Sequence, residues 1–219
     1  MNINRKFWDM ISNIYDKSVL MKYEQVYYKT VENTKNLLNI NDIVLDFACG
    51  TGLITNKIAN HAKEIQAIDI SSKMIDIAKR KANECKLANI DYTQSSIFDD
   101  RFKKESFNVI LALNILHLLN NKKKIIQRIN ELLKPGGLFI SGTLCLGQNK
   151  SFIRYCFLSF LSFLLFLLSK IRLFPFLNCL KFSKLEGFVI EGNFQIIETE
   201  NIPHSQPYMF IVAKKQPLN

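Results

Sequence analysis

Five short apolar runs, separated by amphipathic segments, constrain the fold of this chain more than any other feature. The runs are rich in β-branched residues and lie at 43–45, 65–70, 90–93, 109–113 and 138–141. Such runs are typical of strands that helices cover on both faces of a parallel sheet. The alternation of strand and helix predicts a doubly wound α/β domain.

The segments between the runs carry apolar residues at helical spacing. Three of these apolar faces are Ile54, Ile58 and Ala62; Met74, Ile75, Ala78 and Cys85; and Ile125, Ile126, Ile129, Leu132 and Leu133. The sequence KPGG at 134–137 predicts a helix stop and a turn into the fifth strand.

Both ends of the chain extend this core. Helical periodicity over 1–39 predicts an N-terminal helical cap. Near the other end, Ser183 is the expected N-cap of a helix over 184–191. Strands at 194–199 and 208–213 then complete a seven-stranded, mostly parallel sheet.

Composition predicts one domain over 1–219 without disulfides or a metal site. The 219 residues are 48% apolar and 22% charged, which is ordinary for a globular domain. The five cysteines form no close pair, so a reduced, cytoplasmic setting is expected, and residues 1–10 carry no apolar signal segment. The net charge is +10, but the lysines are dispersed, so a solvated basic surface is favoured over a nucleic-acid site.

A glycine-containing turn follows the first predicted strand. Gly50 and Gly52 permit a tight turn and a close approach of a ligand to the backbone. A dinucleotide fingerprint would have a third glycine where Thr55 stands. Asp46 precedes the turn and Asp69 ends the next strand, which places two carboxylates at the sheet edge where α/β domains bind ligands.

The sequence VLDFACGTG at 44–52 resembles motif I of class I S-adenosylmethionine (SAM)-dependent methyltransferases. Agreeing segments are AIDIS at 67–71, SFNVI at 106–110, LHLL at 116–119 and LKPGG at 133–137. Together they are similar to the small-molecule methyltransferases that include the ubiquinone and menaquinone enzymes. The resemblance covers 40–145 well and the last two strands loosely. It implies a Rossmann-like fold, SAM as the cofactor and methyl transfer to a small acceptor.

The resemblance also implies roles for the residues of the first turn. Asp69 would accept the ribose hydroxyls, and Asp46 would hold the methionine amino group of SAM. Gly50 and Gly52 would lie beneath the methionine moiety of SAM, and Ala48 belongs to the same cofactor-binding segment. For every such residue except the glycines, ordinary packing is the competing interpretation.

Further cofactor contacts follow from later segments. Ile70 and Met74 would pack against adenine. Ser96 stands where the family commonly has an adenine-contacting aspartate, so the backbone of Ile97 would serve the ring instead. Leu113 and Asn114 are expected to contact the methionine end of SAM. Tyr15, in the N-terminal cap, would close over the cofactor; packing between helices is the alternative role.

His117 is the candidate catalytic residue. Methyl transfer from a sulfonium is an in-line displacement, in which the protein aligns the acceptor and excludes water. A general base helps only when the acceptor loses a proton, and imidazole titrates near neutrality. A histidine within LHLL is more often a hydrogen-bonded packing residue, which is the competing interpretation. His61 and His204 are expected to be peripheral.

Several enzyme classes are excluded by missing motifs. No tyrosine has a lysine four residues on, as short-chain dehydrogenases need. The segment after the fourth strand, LNIL at 113–116, lacks the prolines of nucleic-acid amino-methyltransferases, and Pro-Cys never occurs. A SAM-binding partner or regulatory subunit without transferase activity remains the alternative.

Residues 155–169 form an uncharged, phenylalanine-rich stretch within a predicted helical insertion over 150–182. This stretch is shorter than the ~20 residues that a spanning helix needs. Two interpretations remain. It is either a buried helix that covers the sheet, or a lid that contacts a lipophilic acceptor or a membrane surface, with basic flanks such as Arg154 and Lys170.

Overall fold

The computed structural model describes residues 3–145, 181–202 and 208–217, with the side chains of 3 and 4 left aside. Its strands are β1 (Ile43–Phe47), β2 (Glu64–Asp69), β3 (Ile90–Gln94), β4 (Phe107–Leu113), β5 (Leu133–Leu144), β6 (Phe194–Ile202) and β7 (Tyr208–Lys215). They form one sheet in the order β3-β2-β1-β4-β5-β7-β6. β7 is antiparallel to both of its neighbours, while the other pairs are parallel. The predicted seven-stranded, mostly parallel α/β fold is confirmed.

Helices cover both faces of the sheet. They are α1 (Ile3–Leu37), α2 (Thr55–Ile58), α3 (Ser72–Glu84), α4 (Lys122–Leu132) and α5 (Phe182–Glu191), with 3-10 turns at Ala59–His61 and Leu116–Leu118. Alternate residues of each strand divide the core in two. One apolar cluster joins the sheet to α1, α2 and α3, and the other joins it to α4 and α5.

Helix α1 is kinked at Tyr23, whose backbone leaves the helical region (φ −132°, ψ 26°). The part after the kink packs Val26, Tyr27 and Val31 into the core. The part before the kink lies across the carboxyl edge of the strands. The kink therefore lets one helix act both as a core element and as a cover for the candidate site.

The predicted turn at 134–137 lies within the range of β5 as an unpaired segment, in which Gly136 has a positive φ of 73°. Helix α4 does end at Leu132, but the strand begins at once: Leu133 pairs with Phe107, and the next pair is Leu138 with Val109. The intervening residues bulge opposite Asn108. A Cβ on Gly137 would lie 2.9 Å from the Asn108 carbonyl oxygen, so the bulge needs glycine there.

Two sequence expectations are wrong in detail. Ser183 is not an N-cap, because α5 begins at Phe182 and Lys181 holds the cap position without a side-chain hydrogen bond. The helix expected through Ala62 ends at Ile58. It stops there because the side chain of Asn89 donates to the carbonyl oxygens of Ala59 and Ala62, at 2.8 and 3.0 Å, and draws that segment into a tighter turn.

The predicted insertion over 150–182, including 155–169, falls almost wholly outside the described residues. Within the described ranges, no helix is long and apolar enough to cross a membrane. Cys49, Cys85 and Cys145 are free thiols there.

Candidate active site

The turn after β1 has a strained backbone and is hydrogen-bonded to the end of β2. Ala48, Gly50 and Gly52 all have positive φ, of 62°, 57° and 68°. The backbone N–H of Gly50 donates to Oδ2 of Asp69 at 3.0 Å. Since β1 and β2 are parallel neighbours, the two carboxylates Asp46 and Asp69 lie at one edge of the sheet, as expected.

Two cavities with shared walls lie at this edge, beneath the first part of α1. The larger has a volume of about 320 Å³ and the smaller about 100 Å³. Residues that line both are Trp8, Tyr15, Ala48, Leu113, Asn114 and Leu118. The larger one is of the size that small-molecule sites usually have.

The predicted residues divide between the two cavities. Asp46 and His117 line the larger cavity, while Gly50, Asp69, Ile70 and Met74 line the smaller. With the shared residues Tyr15, Ala48, Leu113 and Asn114, nine of the twelve predicted cofactor residues meet at one site.

Three predicted cofactor residues do not line either cavity. A Cβ on Gly52 would overlap the hydroxyl of Tyr92, so Gly52 is needed for packing beneath α3. Ile97 is in the core at 1% exposure, and Ser96 is exposed with its hydroxyl accepting from the N–H of Phe98. Ser95, which sequence reasoning missed, lines the smaller cavity instead.

Asp46 is a buried carboxylate with one protein hydrogen bond, from the Thr55 hydroxyl at 2.6 Å. Burial raises its pKa to about 6; Thr55 acts against this rise and the nearby Asp69 adds to it. Burial also raises the pKa of Asp69, against hydrogen bonds from the backbone of Ser71 and Gly50. Neither carboxylate forms an ion pair with any described residue, so the site favours a cationic ligand.

Helix α1 is clamped over the site by two aspartates that sequence reasoning missed. Asp9 accepts a hydrogen bond of 2.6 Å from the hydroxyl of Ser71, next to β2. Asp16 pairs with Lys81 of α3 at 2.7 Å and also accepts from the hydroxyl of Thr51. Their partners lie more than thirty residues away in sequence, and no local pattern marks them.

The clamp places Trp8 and Tyr15 above the turn. Their rings meet edge to face with centroids 6.1 Å apart, and Tyr15 lies directly over Gly50. Burial, then Asp69 and Asp16, raise the pKa of Tyr15 to about 12, so it is a neutral phenol at physiological pH. The position agrees with a capping aromatic at the cofactor site.

His117 lies in the 3-10 turn that follows β4 and is 8% exposed. Its Nδ1 is 3.1 Å from the hydroxyl oxygen of Thr143. Burial, and then the charge of Lys122, lower the pKa of His117 to about 4. The ring is therefore neutral at physiological pH and free to accept a proton, but it is a weaker base than an exposed histidine.

Comparison with known proteins gives a family match over part of the chain. Residues 44–137 match a family described as a methyltransferase domain. The matched residues make up less than half of the chain. The fold predicted from the sequence is confirmed, and the match over 44–137 agrees with the predicted enzyme class and cofactor.

Curated relatives are similar over about half of this chain. A ubiquinone biosynthesis O-methyltransferase from Coxiella burnetii is 30% identical over 114 residues, which cover 52% of this chain and 47% of that one. The chain thus spans about half the length of the curated relatives it matches.

Solved structures share the fold at lower identity. Geranyl diphosphate C-methyltransferase from Streptomyces coelicolor, with S-adenosyl-L-homocysteine, has a TM-score of 0.70 at 13% identity, covering 92% of this chain and 83% of that one. The [4+2]-cyclase SpnF has a TM-score of 0.69 at 16% identity, covering 87% and 80%. These likenesses show a shared fold.

SAM binding is expected to depend on pH. If ionised Asp46 binds the cationic methionine end of SAM, bound SAM lowers the pKa of Asp46. Affinity should then fall as pH drops through about 6, approaching tenfold per pH unit. Calorimetric titration of SAM between about pH 5 and pH 8 measures this.

The stability of the ligand-free protein should change in the opposite sense. Because the folded pKa of Asp46 is raised, its contribution to the free energy of unfolding falls as pH rises from about 4 to about 6. Asp46→Asn should bind SAM weakly with a flat pH profile. Asp76→Asn, at an exposed position on α3, is the matched control. A wild-type SAM affinity independent of pH below 6 contradicts the assignment.

Proposed function

We propose that this protein transfers the methyl group of SAM to a small, lipophilic acceptor. The observation that carries the proposal is the pair of aspartates, Asp46 and Asp69, on two joined cavities beneath α1. SAM carries a sulfonium and an ammonium group, and both carboxylates lack a cation among the described residues. Adenosine in the smaller cavity would meet Asp69, Ile70 and Met74, with the methionine end directed toward Asp46.

The remaining part of the larger cavity is the proposed acceptor site. Its walls include Phe7, Val19, Val26 and Tyr27 of α1, which present apolar and aromatic surface. The names of the relatives also favour a lipophilic acceptor, since one is a ubiquinone biosynthesis enzyme and a structural neighbour acts on geranyl diphosphate.

The protein's contribution to the reaction is alignment and exclusion of water. SAM supplies the electrophilic methyl group, and displacement requires the acceptor atom in line with the breaking carbon–sulfur bond. The first part of α1, held by Asp9 and Asp16, closes the site from solvent. His117 borders the acceptor side and would take a proton only from an acceptor that must lose one.

Release of S-adenosylhomocysteine in the presence of fractionated lipophilic metabolites tests the proposal. We expect one or more fractions to stimulate release by the wild type and to gain a methyl group in equal amount. Asp76→Asn should behave as the wild type, while Asp46→Asn should lose most stimulation. SAM binding without any release, across lipophilic and polar fractions, would instead support a non-catalytic SAM-binding subunit.

A further inference from the structure

Two buried hydroxyl groups in the wall of the larger cavity have no hydrogen-bond partner among the described residues. They are the phenol of Tyr208 and the hydroxyl of Thr30, and each residue is only 1% exposed. Buried polar groups are almost always hydrogen-bonded, because desolvation without a partner is unfavourable. Two such groups on one cavity wall indicate a ligand that supplies the missing bonds.

The fold presents Tyr208 to the cavity. Tyr208 begins β7 and pairs with Leu144 of β5, at the same edge of the sheet as the cofactor residues. Its ring lies over Gly142, where a Cβ would overlap the phenolic hydroxyl. Gly142 thus leaves the space that allows a tyrosine ring to lie against the sheet beneath α1.

Thr30 approaches the same wall from α1. Its backbone carbonyl accepts the hydroxyl of Thr34 at 2.7 Å, while its own hydroxyl has no such bond within the described residues. Burial raises the pKa of Tyr208 far above its usual range, and the Thr30 hydroxyl acts against this rise as a hydrogen-bonding neighbour would. The two hydroxyls therefore face each other, although their geometry falls short of a hydrogen bond, and a ligand oxygen between them could bond to both. Tyr208 is therefore a neutral donor at physiological pH.

Ser141 provides a contrast. Its hydroxyl is also buried and without a partner among the described residues, but it does not line the cavity. It lies on β5, one residue from Gly142, so its side chain points to the opposite face of the sheet. Because neither of the two cavities reaches the Ser141 hydroxyl, its missing hydrogen bond within the described residues does not indicate a ligand.

We propose that Tyr208 and Thr30 together bind an uncharged oxygen substituent of the methyl acceptor, a hydroxyl or a carbonyl. This inference rests on the proposed function and specifies its substrate class as a lipophilic molecule with one oxygen held at the inner wall. An anionic substituent is disfavoured, because Asp46 lines the same cavity and would repel it.

Binding of 2-naphthol and naphthalene to protein saturated with S-adenosylhomocysteine tests the proposal. The wild type should bind 2-naphthol about tenfold or more tightly than naphthalene, since only the former completes the hydrogen bonds. Tyr208→Phe combined with Thr30→Val should remove this preference and leave the affinity for S-adenosylhomocysteine unchanged. The anion 2-naphthoate should bind more weakly than 2-naphthol.

Thermal unfolding and a matched variant separate this role from a structural one. Because both hydroxyls lack a partner without ligand, the double variant should unfold at the wild-type temperature or higher. Ser141→Ala should keep the preference for 2-naphthol. Equal binding of 2-naphthol by the wild type and a folded double variant would overturn the inference. Failure of the wild type to bind S-adenosylhomocysteine would overturn the proposed function itself, which is a separate result.

Discussion

Replacing His117 with glutamine is expected to lower turnover by about 10²–10⁴-fold if the imidazole removes a proton from the acceptor. Glutamine has a similar reach and can still hydrogen-bond Thr143, but it cannot act as a base at neutral pH. The affinity for SAM should stay nearly unchanged, since His117 lines the larger cavity and not the smaller one. The measurement is the rate of S-adenosylhomocysteine release at saturating SAM and acceptor.

The pH profile provides the second readout for His117. Because burial lowers its pKa to about 4, the acidic limb of kcat/KM should lie near pH 4 and be absent from His117→Gln. The same shift makes protonation unfavourable in the folded state, so this residue's contribution to stability is lost as pH falls from about 6.5 to about 4.

Two controls distinguish a base from a packing residue. His61→Gln changes an exposed histidine in the 3-10 turn after α2 and should leave turnover intact. His117→Ala removes the hydrogen bond to Thr143 as well as the base. Full turnover of His117→Gln, with a lower unfolding temperature for His117→Ala, would assign His117 to packing.

Replacing Asp69 with alanine is expected to weaken SAM binding by about tenfold to several hundredfold. The carboxylate would accept charge-assisted hydrogen bonds from the ribose, and each is worth roughly 1.5–3 kcal/mol. Asp69 also accepts from the backbone of Gly50 and Ser71, so the variant loses part of the turn's support. Calorimetry with SAM measures the affinity.

The expected change in stability for Asp69→Ala is small. Burial raises the pKa of Asp69, so its ionisation opposes folding and partly offsets the loss of its two backbone hydrogen bonds. Asp76→Ala, on the exposed side of α3, controls for removal of a negative charge. An unchanged SAM affinity in a folded Asp69→Ala protein would remove Asp69 from the site.

The strands were predictable because burial on both faces requires unbroken apolar runs. The ends of the strands were less predictable, since β5 begins at Leu133, whose pairing with Phe107 precedes the turn that KPGG predicts. Ser183 is a good N-cap residue by type, but the chain places it inside the first turn of α5. Tertiary pairing, which a local pattern does not contain, decided both cases.

The candidate site was predictable where its residues belong to a local motif. Asp46, Gly50 and Asp69 meet because adjacent parallel strands end together. Ser96 was placed one residue away from the cavity-lining Ser95, because the path of the chain after β3 is irregular. Tyr208, which lies far from motif I in sequence, reaches the cavity only through the antiparallel pairing of β7 with β5.

A crystal structure with bound S-adenosylhomocysteine tests the central claim most directly. We predict that the ribose hydroxyls lie within hydrogen-bond distance of Asp69, with adenine between Ile70 and Met74 and the amino group toward Asp46. The space between the sulfur atom and His117 should remain open for the acceptor, bordered by Tyr208 and Thr30. A ligand bound elsewhere, or one that fills the larger cavity down to Tyr208, would contradict the account.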